Sequence, residues 1–414
     1  MEDYLVAKGK AVLEPISSNK WIEIDVDAIR QNLREIRSRL AGDVKLIAVV
    51  KANAYGHGAE ETARVLCQQG VDYFAVTFLK EALDLRKAGI SANILVFAPL
   101  ISENEIVQAI LNNITVTVSS QSDWRLMENV IANMGKSVTV HLKIDTGLGR
   151  FGLGPDEVRD LYMEMNRNPQ VYIEGIYTHM AQAGSAKSYT EKQFAAFLEV
   201  VRDLEQHGGR KIPLKHCANS AVFLKYPHMR LDAVRIGTLL SGQHPVGDFP
   251  EVLNLRDPYK YKCRILSVRT LPKGSFLGYF RTYRLRRTSQ IAVLPVGFYD
   301  GLAVEVANKP AGLKDLIKLQ LKLLLGYLNV GRFNLGVKIH GRSCPVRGKV
   351  FMQTALVEIP PGLEVNVGDE VELPIRKTLA SGNINRVYLQ EGQPGKISSR
   401  GSTNYVVENQ RYPQ

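Results

Sequence analysis

Three observations predict an α/β fold for this chain, a (β/α)8 TIM-like barrel followed by a C-terminal mostly β domain. Between Trp21 and about Gly242, short apolar runs alternate with longer amphipathic ones, and eight such steps can be counted. The apolar runs are continuous, as expected of strands buried on both faces of a parallel sheet. After about Gly242 the pattern changes to strand-like runs separated by Gly- and Pro-containing breaks. An open doubly wound sheet is the alternative, but no GxGxxG follows the first strand.

In chain order the barrel strands are expected at Leu46–Val50, Tyr73–Thr77, Ile94–Ala98, Ile114–Val118, Val138–Ile144, Tyr172–Tyr177, Pro213–His216 and Ala233–Ile236. Helical periodicity marks Gly58–Gln69, Leu79–Ala88, Glu103–Leu111, Gln121–Met134, Asp156–Met165 and Glu191–Gln206 between them. The barrel is therefore assigned to residues 15–252 and the β domain to 253–414, with residues 1–14 packing on the second. Strands of the β domain are expected at Cys263–Leu266, Gln290–Leu294, Val337–His340, Ala355–Ile359 and Glu370–Leu373. Pro310–Gly336 reads as an inserted basic amphipathic helix covering that domain, with Lys314, Lys318 and Lys322 beside a run of leucines; a partner or membrane-surface role is the alternative.

Composition narrows the function classes. The four cysteines show no CxxC pairing, so neither a zinc site nor a disulfide framework is indicated, and no metal is expected. The first ten residues lack the apolar core of a signal peptide, no apolar run is long enough to span a bilayer, and a cytoplasmic setting without membrane is expected. The net charge of +12 is spread along the chain, which fits a solvated surface or attraction for small anions better than nucleic acid.

In such a barrel, chemistry belongs at the carboxyl ends of the strands. The first strand ends in VVKANAYGHG, with Lys51 and Tyr55; the fifth in KIDTGLGRFG, with Lys143, Asp145 and Arg150. The sixth is followed by THMAQA with His179, the seventh by HCANSA with Asn219 and Ser220, and the eighth by RIGT with Arg235, Gly237 and Thr238. A lone lysine at a strand end is usually snorkelling, and Asn219-Ser220 alone is usually a helix cap. Their convergence on one rim points instead to a ligand. Ser220 with the backbone near Gly237 suits a phosphate, a lysine amine suits a Schiff base with an aldehyde, and together they suit pyridoxal 5'-phosphate.

These segments, with GYFRTY and PVGFYDG later in the chain, resemble the alanine racemases in the same order and over nearly the whole sequence. The resemblance implies a pyridoxal-phosphate isomerase of D-alanine formation, a homodimer in which each active site borrows residues from the other subunit. Lys51 matches the Schiff-base lysine, which is also the acid/base on one face of the substrate, and Tyr279 the base on the other face. Arg235 matches the ring-nitrogen partner, with His179 behind it; Tyr55, Ser220, Gly237 and Thr238 match phosphate contacts, with Asn219 beside them. Arg150 and Met352 match substrate-carboxylate contacts, and Lys143 a lysine that is carbamylated in many members.

The match departs around the substrate's path. Phe298 and Ser241 stand where tyrosines are usual, Gln353 replaces an aspartate, and Ser399 stands near another usual tyrosine. A racemase for another or larger amino acid (serine, lysine, ornithine) is therefore an alternative. A pyridoxal-phosphate decarboxylase of the same fold is disfavoured by Arg235, and a non-catalytic, single-domain cofactor-binding protein by residues 253–414.

Overall fold

The structure is a computed structural model that describes residues 19–250, 252–306, 310, 312–327, 335–399 and 402–404. The chain divides into two compact units, one of Asp25–Pro258 with Gln390–Gly392, the other drawn from the chain before and after it. Strand β1 (Lys20–Asp25) opens the second unit's sheet.

The first unit holds β2 (Lys45–Val49), β3 (Tyr73–Val76), β4 (Asn93–Val96), β5 (Thr115–Val118), β6 (Val138–Lys143), β7 (Val171–Tyr177), β8 (Leu214–His216) and β9 (Ala233–Ile236). All pair in parallel in the order β8-β7-β6-β5-β4-β3-β2-β9. A bridge between Ala218 and Val234, with Arg235 N donating to Ala218 O at 2.8 Å, brings β9 back beside the chain following β8 and closes the ring. The strands differ from their expected bounds only at the ends, whereas the helix expected from Glu191 begins at Lys187. Its first turn is polar and carries no periodicity to read.

The barrel interior is layered by chemistry. Ile47, Val49, Tyr73, Ala75, Leu95 and Ala233 form a buried cluster, where truncating a leucine such as Leu95 to alanine costs roughly 2–5 kcal/mol. Beside it runs a string of polar groups: His141 and His216 are fully buried. Room for His141 comes from Gly175 on β7, where a Cβ would stand 2.6 Å from the imidazole.

In the second unit β1 pairs antiparallel with Tyr259–Arg264, which pairs with Glu370–Leu373. A three-stranded sheet of Ser267–Leu271, Ser289–Leu294 and Ala355–Glu358 lies in the same unit. A small ribbon, Phe276–Leu277 with Tyr283–Arg284, carries Tyr279 on its turn. The inserted segment does form a helix, Leu313–Tyr327. It does not cover the domain as expected: residues 312–324 are all exposed. Among the described residues no helix is long and apolar enough to cross a membrane.

Candidate active site

Lys51 stands two residues beyond the end of β2, and the chain then makes an unusual turn. Ala52, Asn53, Ala54 and Tyr55 all have φ between 50° and 56°, a left-handed turn without glycine. Each such residue costs ~1–2 kcal/mol, so neighbours must hold the turn. Glu81 does so from the start of the helix Leu79–Lys87: its carboxylate accepts from Ala52 N at 2.6 Å and from Thr77 N and Phe78 N. Asn53 Oδ1 accepts from Ala59 N at 2.9 Å, and Gly58 N donates to Asn53 O at 3.0 Å. The result points Lys51 and Tyr55 into a cavity of about 270 Å³.

Arg150, His179, Asn219, Ser220, Arg235, Gly237 and Thr238 line the same cavity. These residues come from five segments separate in sequence, brought together by barrel closure. At one end Gly237 N donates to Ser220 Oγ at 3.4 Å. A Cβ on Gly237 would stand 2.3 Å from the Tyr55 hydroxyl, so only glycine admits the phenol there. Burial pushes the Tyr55 phenol up to about 12, which keeps it a neutral O–H donor. Asn219 is first a helix cap, its Oδ1 accepting from Ala221 N and Val222 N at 3.0 and 3.1 Å; its Nδ2 lies 3.4 Å from His179 Nε2.

Arg235 is held from below. One guanidinium nitrogen contacts His216 Nδ1 at 2.7 Å and donates to His216 O at 2.9 Å; the other donates to Thr178 O at 2.7 Å. The chain continues from His216 Nε2 to His141 Nδ1 at 2.9 Å and from His141 Nε2 to Glu174 Oε2 at 2.9 Å. Tyr73 also donates its hydroxyl to Glu174. Burial opposes ionisation of Glu174, yet the bonds from His141 and Tyr73 hold its carboxyl below the ordinary range.

The loop after β6 is organised by Asp145, whose carboxylate accepts from the backbone N–H groups of Gly147, Leu148, Gly149 and Arg150. Lys143 is buried; its ammonium donates to Phe151 O at 2.6 Å and lies 4.8 Å from the Phe151 ring centre, the same distance as the Arg150 guanidinium. Burial, reinforced by Arg150 and Arg235, brings Lys143 down to about 8 despite Asp145. Lys51 is also lowered, by burial and then Arg150, with Glu81 opposing. Burial and the surrounding cations bring His179 down to about 3, so it is neutral. The cavity is electropositive and suited to an anion carrying a carbonyl carbon.

Tyr279 and Met352 belong to the other unit and are 66 % and 59 % exposed. The Tyr279 ring meets Phe351 edge-on, with centroids 5.1 Å apart. Its ribbon is anchored by buried Glu358, which accepts from Tyr283 at 3.1 Å, Ser289 at 2.9 Å and Arg347 at 2.9 Å. Phe298 and Gln353 are exposed, Ser241 is buried with its hydroxyl on Thr238 O at 2.8 Å, and the side chain of Ser399 lies outside the described residues. Sequence reasoning missed Glu81, His216, His141, Glu174 and Tyr177, whose ring lines the cavity and stacks on His216 with centroids 5.0 Å apart. Only Glu81 left a signal, an acid at the third position of a helix that starts at a strand end.

Comparison with known proteins agrees with this architecture. The profile of the alanine racemase N-terminal domain matches residues 24–245, and that of the C-terminal domain residues 259–385. The chain is 35 % identical to an alanine racemase of Desulforamulus reducens over 90 % of its own length and 95 % of the relative's. Alanine racemase 1 of Oceanobacillus iheyensis is 34 % identical over 82 % of this chain and 84 % of that one. The solved alanine racemase of Clostridium difficile 630 superposes with a TM-score of 0.82 at 30 % identity, covering 94 % of this chain and 100 % of the other. Two matched domains, in order, and full-length relatives of the same name place this chain in the alanine racemase family of isomerases.

Proposed function

We propose that the chain interconverts L- and D-alanine with pyridoxal 5'-phosphate, as a cytoplasmic homodimer. The observation that carries the reading is the convergence of Lys51, Arg150, Arg235 and the Ser220–Gly237 contact on one cavity. The residues present fit the cofactor. Gly237 leaves room for a neutral Tyr55 hydroxyl beside Ser220 at the phosphate end, Lys51 offers an amine of lowered basicity, and Arg235 offers a donor. Lys51 would hold the cofactor covalently, Tyr55, Ser220 and the Gly237–Thr238 backbone its phosphate, and Arg235 its ring nitrogen. When bound, the cofactor supplies the electron-withdrawing system that makes the substrate α-proton removable.

Racemisation takes a proton from one face of a carbon and returns one to the other, so two bases on opposite sides are required. Lys51 serves one face. Tyr279 serves the other from the partner subunit, a reading supported by its exposure at a ribbon tip. Arg150 and Met352 receive the substrate carboxylate. Lys143, buried beside Arg150 and with its proton loosely held, takes up carbon dioxide as a carbamate and fixes that arginine. His179 stays neutral behind the ring.

Phe298 and Gln353, standing where a tyrosine and an aspartate are usual in the family, support a second reading, preference for a larger amino acid. Both are tested by proton NMR in heavy water on cofactor-loaded protein offered a panel of amino acids, with a chiral assay of each. Alanine losing its α-proton and inverting fastest supports the first reading. A larger amino acid leading replaces it with the second, and no exchange with any overturns both.

A further inference from the structure

The helix Leu313–Tyr327 takes no part in the site, and residues 312–324 are all exposed. Seven of them, between Leu313 and Leu324, are large aliphatics with exposures of 41 to 73 %. A helix of this length is marginal in water without a buried face, so a cover is required. At about 100° per residue these seven occupy an arc of about 200°, while Lys314, Lys318 and Lys322 fall within about 80° on the other side, with Leu325 alone among the aliphatics between them. Lys322 Nζ meets Glu305 Oε1 at 2.7 Å, tying the lysine side to the segment that enters the helix and turning the aliphatic arc away from it.

Charge selects the cover. Asp315 is the only acid in the helix, and among the described residues Lys314 and Lys318 have no carboxylate within salt-bridge reach. A second copy packed through the same helix would set lysines against lysines, whereas anionic lipid headgroups bring the opposite sign. The helix is about 22 Å long and not apolar enough to span. A leucine-rich face backed by lysines, at this length, is the pattern of a helix lying in the plane of a membrane surface.

We propose that Leu313–Tyr327 is an interfacial anchor that seats the enzyme on an anionic lipid bilayer, aliphatic arc in the headgroup layer and lysines along its edge. The test is co-sedimentation of the full-length protein with vesicles of phosphatidylcholine and phosphatidylglycerol in equal parts, against vesicles of phosphatidylcholine alone. The anionic vesicles should retain at least about tenfold more protein, and added salt should reduce the difference. The variant Leu316→Gln, Ile317→Gln, Leu323→Gln, Leu324→Gln should lose vesicle binding with its melting temperature and racemase turnover in vesicle-free buffer unchanged. The lysine variant, Lys314→Gln with Lys318→Gln, should lose the lipid-charge preference. Binding to neither vesicle, or binding that survives the leucine substitutions, overturns the proposal. Loss of an oligomer in the leucine variant, without any vesicle binding by the parent, assigns the face to self-association instead and overturns it equally.

Discussion

Arg235 and His216 meet twice, Nη1 to Nδ1 at 2.7 Å and Nη1 to the backbone oxygen at 2.9 Å, and this pair fixes the polarity of the barrel interior. A guanidinium only donates, so Nδ1 of His216 must be the bare nitrogen and Nε2 must carry the proton. The same logic places the His141 proton on Nε2, facing Glu174. Two neutral imidazoles thus connect the buried Arg235 cation on β9 to the Glu174 carboxylate in the middle of β7. Glu174→Gln, which keeps an acceptor, should change cofactor affinity by no more than about threefold. Glu174→Leu removes the acceptor that His141 and Tyr73 share; the Tyr73 oxygen, 3.2 Å from His141 Nε2, can take over only the imidazole's bond, so one buried donor loses its partner and affinity should weaken by about tenfold. Equilibrium binding of the cofactor to apoprotein distinguishes them.

The opposed-base arrangement makes an asymmetric prediction. Tyr279→Phe should lower racemisation by roughly 10²–10⁴-fold, yet one alanine enantiomer should still exchange its α-proton with heavy water without inverting, through Lys51. Equal loss of exchange from both enantiomers would show that Tyr279 does not serve one face.

Acid stability follows from the buried imidazoles. Burial, then Arg235 and His141, holds His216 well below its ordinary 6.5, and His179 falls to about 3. A lowered folded pKa means that the unfolded chain binds the proton first. The stability from these groups is whole above 6.5 and is lost as pH falls toward the folded values. Each contributes a slope of up to ~1.4 kcal/mol per pH unit. Thermal melts of apoprotein should drop by several degrees between about pH 7 and about pH 5.

Gly237→Ala tests the phosphate end. The new methyl would sit 2.3 Å from the Tyr55 hydroxyl, displacing the phenol or the backbone. Cofactor dissociation should rise by about tenfold or more, about 1.4 kcal/mol, and the same change should add much less in a Tyr55→Ala background, because the ring carbons Cε2 and Cζ, 2.7 Å from the new methyl, are then also gone. Strictly additive losses in the double-mutant cycle would show that the two residues do not share this contact.

The lowered basicity of Lys143, to about 8, leaves a usable neutral fraction near neutral pH. Isotope-labelled bicarbonate should therefore give a carbamate carbon signal by NMR that is absent in Lys143→Ala. That variant should raise the KM for alanine more than it lowers kcat, since the carbamate proposed to hold Arg150 can no longer form.

The barrel was legible because continuous apolar strands and amphipathic helices recur at a regular spacing, and the rim residues because strand ends are where this architecture exposes side chains. The polar string was not. His141 and Glu174 sit inside β6 and β7 and read as parts of strands, and only pairing across the barrel shows that they meet. The turn after Lys51 was equally hidden, since Ala52, Asn53 and Ala54 carry no glycine to announce positive φ. The insertion was read correctly as helical but wrongly as a cover, because periodicity reports an apolar face and not what lies against it.

That left-handed turn makes the lysine's position a loan from the surrounding barrel. Four residues in a conformation each would avoid as a free peptide stay there only while Glu81, Asn53 and the β2–β3 edge are in register. A substitution that loosens the barrel far from the cavity should thus release Lys51 before the chain as a whole unfolds. Inactivation on warming should precede loss of helical signal, and a transplanted KANAYGHG segment should not carry the geometry into another scaffold.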